Sequence, residues 1–126
     1  MAGDASDWTL VREVALSDAV LVVARDATGE VAGFASAGPP TDPLAPAAWE
    51  LYAIDIVPHA YGTGLAADLL SAAVGDRPVL VWVRRDNGRA RAFYAKAGFA
   101  ADGARRAGET TGRPELRLWR PGTDGT

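Results

Sequence analysis

The sequence predicts a mixed α/β fold (an α+β mixed sheet), in which antiparallel strands lead into alternating helices and strands. The first observation is a hairpin pattern: the strand-like runs Val20–Arg25 and Glu30–Ser36 flank turn residues at 26–29. The second is leucine and alanine at helical spacing from Gly64 to about Val74. The third is the compact apolar run Pro78–Val83, which indicates a strand buried on both faces.

The remaining elements complete this order. Trp8–Val11 fits a strand and a helix, and we favour the strand. Trp49–Val57 predicts a third strand, which ends before a proline. Asn87 predicts the N-cap of a second helix that ends near Gly98, and Leu116–Trp119 predicts a final strand after a polar connection. Four prolines predict a loop before the third strand: Pro39, Pro40, Pro43 and Pro46.

The composition is that of one folded domain, and we expect residues 1–126 to form it. A net charge of −3 argues against a general nucleic-acid-binding protein. The chain has no cysteine and a single histidine, His59, so we expect no thiolate site, no histidine-centred triad and no metal centre. No stretch resembles a membrane span or a targeting segment. We therefore expect a cytoplasmic protein without membrane or nucleic-acid partners.

Residues Tyr61–Ala66, Tyr-Gly-Thr-Gly-Leu-Ala, form a glycine-rich turn that opens the first predicted helix. Such a turn exposes backbone N–H groups at the positive end of the helix dipole, where a pyrophosphate can bind. A Walker-type phosphate loop is excluded, because its Gly-Lys-Ser/Thr ending is absent. The dinucleotide fingerprint is matched formally by Gly62, Gly64 and Ala67, and this alternative stays open, although that motif normally follows its strand directly.

A second motif, Asn87–Phe99, reads N-x-x-A-x-x-F-Y-x-x-x-G-F and lies one helix and one strand after the turn. In these two motifs the chain resembles the GNAT family of N-acetyltransferases, over about residues 20 to 120. The resemblance implies a GNAT-like fold whose strand–helix–strand–helix–strand half binds acetyl-CoA. It also implies direct attack of a primary amine on the acetyl thioester in a ternary complex. Tyr61 departs from the family pattern, which has glutamine or arginine there, so one phosphate contact is in doubt.

The resemblance also implies which residues contact acetyl-CoA. Backbone groups at the end of the third strand would bind the pantetheine arm and polarise the thioester carbonyl, helped by a bulge typical of the family. The glycine turn would hold the pyrophosphate. The implied cofactor-binding residues are Ile54, Asp55, Ile56, Tyr61, Gly62, Thr63, Gly64, Leu65, Ala66 and Asn87.

Two side chains are candidates for the chemistry by this resemblance. Glu50 lies where related enzymes often place a carboxylate facing the acceptor, so it is the candidate base; a solvated glutamate at the strand edge is the alternative. Tyr94 is the candidate general acid, because a phenol with a pKa of about 10 suits a leaving thiolate. A core tyrosine with its hydroxyl bonded to backbone is the alternative. Some relatives carry a glutamate where this chain has Trp82.

The N-terminal region departs from the family, which normally places a strand and two helices before the hairpin. Fewer than twenty residues precede Val20, so we expect an acceptor wall that is reduced, borrowed from another subunit or absent. We expect a homodimer whose partner closes part of the acceptor side. A non-catalytic GNAT-fold module that binds CoA, or a degenerate subunit, is the alternative. The acceptor is predicted to be a small-molecule or peptide amine, without identification. Four residues are available for the contact between copies: Trp8, Leu10, Trp49 and Trp119.

Overall fold

The computed structural model describes residues 8–15, 18–42, 44–108 and 111–122. Within these residues the chain forms seven strands and two helices, which confirms the mixed α/β class. In chain order the elements are β1 (Thr9–Val14), β2 (Val20–Arg25), β3 (Val31–Gly38), β4 (Glu50–Ile56), α1 (Leu65–Val74), β5 (Val79–Arg84), α2 (Gly88–Lys96), β6 (Ala100–Ala107) and β7 (Pro114–Arg120). They divide into two compact units, residues 1–39 with 51–76 and residues 40–50 with 77–126. The single domain over residues 1–126 stays a prediction.

The first unit is built on strands β1, β2, β3 and β4, with β1–β2 and β2–β3 paired antiparallel. This pairing confirms both the N-terminal strand and the hairpin. Alternating small residues of β2 and β3 are fully buried, and they form the core of this unit with the apolar side of α1. Gly33 permits the closest approach, because a Cβ there would lie 2.6 Å from Ile56 Cγ2 and 2.8 Å from the Asp55 carbonyl oxygen.

The second unit is built on strands in the order β5, β7, β6, all antiparallel. Strand β5 is buried on both faces over most of its length, as its apolar run predicts. Helix α2 ends at Lys96 with Ala97 as its C-cap, and the φ of 97° at the next residue, Gly98, suits the left-handed position after a helix. Strand β7 extends the predicted Leu116–Trp119 to Pro114–Arg120.

The polar connection predicted before β7 is wrong in part, because it contains strand β6. Its sequence, Ala-Ala-Asp-Gly-Ala-Arg-Arg-Ala, has low β propensity, and seven of its eight residues are exposed. Pairing with β7 makes it a strand, with a register irregularity between Ala101 and Arg105. Two ion pairs to β7 hold it, Arg106 to Glu115 at 2.6 Å and Arg117 to Asp102 at 2.7 Å. Such long-range pairing leaves no local signal in the sequence.

Among the described residues, no helix is long and apolar enough to span a membrane.

Candidate active site

The glycine turn follows a one-turn 3-10 helix, Pro58–Ala60. Gly62 and Gly64 have φ angles of 79° and 91°, in the left-handed region that side chains disfavour. A Cβ at either position would meet nothing within 4 Å. Glycine is therefore required here by backbone conformation, while the space beside the backbone is open to a ligand.

Three of the N–H groups of this turn are available to bind an anion. Among the residues described, the N–H groups of Gly62, Gly64 and Ala66 have no hydrogen-bond partner. The Thr63 hydroxyl donates to the Ala60 carbonyl at 2.6 Å and accepts from the Leu65 N–H at 3.3 Å, which fixes the turn. Because these N–H groups lie at the positive end of α1, the arrangement fits a pyrophosphate.

The end of β4 lies in the same unit as the turn. Ile54 and Ile56 are half-buried, whereas Asp55 is exposed. The N–H of Val57 donates to the Ala32 carbonyl at 2.9 Å, which ties the end of β4 to β3. Tyr61, which stands where the family has glutamine or arginine, is 45% exposed.

Helix α2 in the second unit begins as predicted. The Asn87 Oδ1 accepts a hydrogen bond from the Ala90 N–H at 3.1 Å, so Asn87 is the N-cap. The Arg91 guanidinium donates to the Arg85 carbonyl at 3.0 Å and is exposed. The side-chain oxygen of Asn87 is therefore committed to its own helix.

Tyr94 is the buried residue of α2, only 6% exposed. Its ring packs edge-to-face against Phe93 and Phe99, at centroid distances of 5.3 and 5.4 Å. Its hydroxyl has no hydrogen-bond partner among the described residues, so the backbone-bonded core tyrosine is not what the structure shows. Burial raises the pKa of Tyr94 to about 12, so the sequence-based pKa of about 10 needs correction.

Glu50 is 5% exposed, and the alternative of a solvated strand-edge glutamate is wrong. Its Oε1 accepts hydrogen bonds from the Thr41 N–H at 2.9 Å and from the Thr41 hydroxyl at 3.2 Å. The next residue of that loop, Asp42, is 3.7 Å from the Arg117 guanidinium of β7. A buried carboxylate is thus fixed by a loop that is itself tied to the sheet of its unit.

Neither the contact of Thr41 with Glu50 nor that of Asp42 with Arg117 could be predicted from the sequence, because the partners lie nine or more residues apart and share no periodic pattern. Trp82 has the Arg106 guanidinium 4.3 Å from its ring centroid and that of Arg117 at 5.8 Å. At this position of β5, where some relatives have a glutamate, the chain therefore has an aromatic ring that contacts two arginines.

The profile of the Acetyltransferase (GNAT) family matches residues 3–99, more than three quarters of the chain. The chain belongs to this family. Its predicted membership is confirmed, and the dinucleotide-binding alternative is set aside. GNAT proteins are acyltransferase enzymes that use acetyl-CoA. No curated protein sequence matches the chain.

Solved structures of GNAT proteins share the fold. One from Desulfovibrio desulfuricans, assigned to the GNAT family, is 21% identical with a TM-score of 0.70, covering 90% of this chain and 98% of its own. Histone acetyltransferase HPA2 and related acetyltransferase from Corynebacterium glutamicum is 27% identical with a TM-score of 0.67, covering 90% and 70%. The NatC complex bound to Gag peptide and CoA matches at 14% identity and a TM-score of 0.67, covering 80% and 70%.

In a GNAT enzyme the two units of this chain offer different groups. The first unit offers backbone N–H groups for an anion and the end of β4. The second offers two buried ionisable side chains, the Glu50 carboxylate and the Tyr94 phenol. Open backbone N–H groups and buried ionisable side chains are thus carried by different parts of the chain.

Proposed function

We propose that this GNAT enzyme transfers an acetyl group from acetyl-CoA to a primary amine by direct attack in a ternary complex. The observation that carries the proposal is the glycine turn, whose free N–H groups lie at the start of α1. In the reaction, a C–N bond forms and the C–S bond breaks, with its electron pair leaving on the thiolate. The amine gives up one proton and the thiolate gains one, so the products are an acetamide and CoA.

The cofactor-binding assignments follow the family motif residue by residue. The N–H groups of the turn would hold the pyrophosphate, and backbone groups at Ile54–Ile56 would bind the pantetheine arm and polarise the thioester carbonyl. Thr63 supports the turn through its two hydrogen bonds, and Leu65, fully buried, anchors the helix below it. Asn87 acts mainly by starting α2.

Glu50 is proposed as the base, directly or through an ordered water. An alkylammonium with a pKa of about 10.4 is only ~0.1% neutral at pH 7.4, which corresponds to about 4 kcal/mol. A carboxylate that accepts the proton lowers this cost. The two hydrogen bonds from Thr41 fix the Glu50 Oε1 in one place, which favours a single direction of proton transfer.

Tyr94 is proposed as the hydrogen-bond donor to the leaving sulfur. Its pKa of about 12 keeps the phenol protonated at every physiological pH. Full transfer to an alkyl thiolate with a pKa of about 8.5 would be unfavourable by about 5 kcal/mol. Tyr94 therefore stabilises the developing thiolate mainly through its hydrogen bond, and protonation from water completes the product.

The second candidate function is a CoA-binding module or degenerate subunit without turnover. Trp82 favours the module, because some relatives have a glutamate at this position that could act as a base. In this chain the position holds an aromatic ring, which contacts the Arg106 guanidinium. The proposal of an active acetyltransferase includes three further parts. Its acceptor is a small-molecule or peptide amine, it is located in the cytoplasm, and it has no membrane or nucleic-acid partner.

A homodimer is also proposed, with β1 as its contact. Every residue of β1 is exposed, and three large apolar side chains are among them: Leu10 at 36%, Val11 at 49% and Val14 at 56%. The three tryptophans that the sequence suggested for this contact are partly buried, so they offer less exposed surface to a second copy than expected: Trp8, Trp49 and Trp119. Light scattering at micromolar concentration measures the oligomeric state, and a strict monomer with full activity would contradict this proposal.

Titration with acetyl-CoA, CoA and NAD, followed by an amine panel with CoA thiol release as the readout, tests the proposed function. Binding of acetyl-CoA and CoA together with thiol release on one or more amines supports the enzyme. Binding without release on any amine supports the module. Binding of neither would contradict both.

A further inference from the structure

A surface cavity of about 440 Å³ lies in the first unit, beside the start of β3 and the end of β4. Its walls are mainly apolar and aromatic, and Phe34 and Tyr61 are 36% and 45% exposed. Large apolar side chains that stay exposed around a concave surface are typical of ligand sites. The residues used below are Val31, Phe34, Asp55, Ile56, Pro58 and Tyr61.

Asp55 is the one charged residue among those lining this cavity. Its carboxylate has no hydrogen bond or ion pair with any described residue. Two basic side chains of the same unit have other partners: the Arg25 guanidinium donates to the Gly29 carbonyl at 3.0 Å, and His59 interacts with Asp26. An uncompensated negative charge therefore stands in an apolar groove.

We propose that this groove binds the acceptor, and that the acceptor is an arylalkylamine or a similar amine with an apolar body. The ammonium pairs with Asp55, and the body contacts Phe34, Pro58 and Tyr61. The proposal rests on the proposed function, since Asp55 belongs to the strand end that is assigned to the thioester. The ion pair holds the amine for binding only. After the ammonium has lost a proton through water to the proposed base, the neutral nitrogen lies beside the carbonyl that it attacks.

The same groove discriminates against other amines. An amino acid carries a carboxylate next to its ammonium, which Asp55 repels. A polyamine carries further charges, which have no counter-charge along the apolar wall of Val31, Phe34 and Ile56 and would lose hydration there. The charge of Asp55 and the apolar wall therefore both favour a monoamine with an apolar body.

The test compares 2-phenylethylamine, phenylalanine and spermidine, which differ in charge but not in having a primary amine. Calorimetry with CoA present measures amine binding without turnover, and thiol release measures KM and kcat. We expect phenylethylamine to bind best. Asp55→Asn should raise the KM for phenylethylamine about fivefold to tenfold and weaken its calorimetric binding by the same factor.

Two matched controls isolate the groove. Asp76→Asn is the control for Asp55→Asn, because it removes an exposed carboxylate after the end of α1. Leu21→Ala is the control for Phe34→Ala in the groove, because it removes a large apolar side chain of β2 that is 41% exposed. Circular dichroism confirms that all four variants are folded. We expect Asp55→Asn and Phe34→Ala to weaken phenylethylamine binding and the two controls to leave it unchanged.

The outcomes separate this proposal from the proposed function. Phenylethylamine binding that depends on Asp55, without thiol release, supports the groove and contradicts the enzyme. Thiol release with equal preference for the three amines, or with Asp55→Asn and Asp76→Asn alike, overturns the groove and leaves the enzyme standing.

Discussion

The starts of the two helices are built in opposite ways. Helix α1 has Gly64 as its N-cap, with a positive φ and no side chain to cap the helix, whereas the N-cap of α2 is Asn87, whose side chain accepts from the Ala90 N–H. Glycine in place of a side-chain cap costs roughly a few tenths of a kcal/mol. The comparison shows that the first turn of α1 keeps free N–H groups, while the first turn of α2 uses one of them in its cap.

Burial explains how α1 tolerates an open start. Helix α1 is held by five buried residues, Leu65, Leu69, Leu70, Ala73 and Val74, whereas α2 buries Tyr94 alone. Each large apolar side chain contributes about 1.5–3 kcal/mol when buried, which exceeds the cost of the missing cap. Helix α2 has little such burial, so it depends more on its cap.

Tyr94→Phe should have the largest effect, because it removes the one functional group proposed for α2 while keeping the ring. We expect turnover to fall about 10²–10³-fold with acetyl-CoA affinity unchanged. Tyr52→Phe, which loses its hydrogen bond to the Pro39 carbonyl, is the control for loss of a hydroxyl. Equal turnover of Tyr94→Phe and wild type would reduce Tyr94 to a packing residue.

The same tyrosine predicts a pH dependence of stability. Its folded pKa of about 12 lies above the ordinary value of 10.0, so the folded state holds the proton more tightly. Its contribution is complete below pH 10 and is lost as the pH rises towards 12, by about 2–3 kcal/mol. Denaturant unfolding at pH 9 and 11.5 measures it, and Tyr94→Phe should show a smaller loss.

Gly64→Val tests the open start of α1. The side chain must adopt a positive φ and blocks the approach to the free N–H groups, so acetyl-CoA affinity should fall about tenfold to a hundredfold. Gly29→Val is the matched control, because Gly29 also has a positive φ and open space but lies in the β2–β3 turn. Both variants should lose about 1–2 kcal/mol of stability, and only Gly64→Val should lose binding.

Asn87→Ala tests the closed start of α2. Loss of the cap should reduce the free energy of unfolding by about 1 kcal/mol. Turnover at saturating acetyl-CoA should change less than with Tyr94→Phe, as Asn87 is proposed to act mainly through the helix. A loss of acetyl-CoA affinity without any loss of stability would instead assign Asn87 to the cofactor.

Asp68→Asn should have the smallest effect. Asp68 is an acidic residue in the first turn of α1, where its charge opposes a bound phosphate. We expect acetyl-CoA affinity to rise about twofold, with the effect screened at high salt. Asp76→Asn, beyond the other end of the helix, should leave the affinity unchanged, and a rise in both would point to net charge alone.

Local chemistry made much of the fold predictable from the sequence. Glycines flanking α1 and Asn87 before α2 marked helix ends, because caps are determined by neighbouring residues. The contacts of Glu50 were not predictable, since Thr41 reaches it only after the proline-rich loop has folded. Tyr94 and its ring neighbour Phe99 were both found by the motif, but the depth of burial that raises the pKa of Tyr94 is set by the folded packing and could not be predicted.

Strand β6 has a consequence for polymerisation. Within the described residues it pairs with β7 alone, and it has a register irregularity around Gly103. Irregularities of this kind oppose the addition of a further strand. Strand β1 has six regular pairs with β2, and its charged residues Arg12 and Glu13 lie between the exposed Val11 and Val14. If the proposed homodimer forms through β1, the irregular β6 disfavours addition of a further strand, and we expect association through strand edges to stop at two copies.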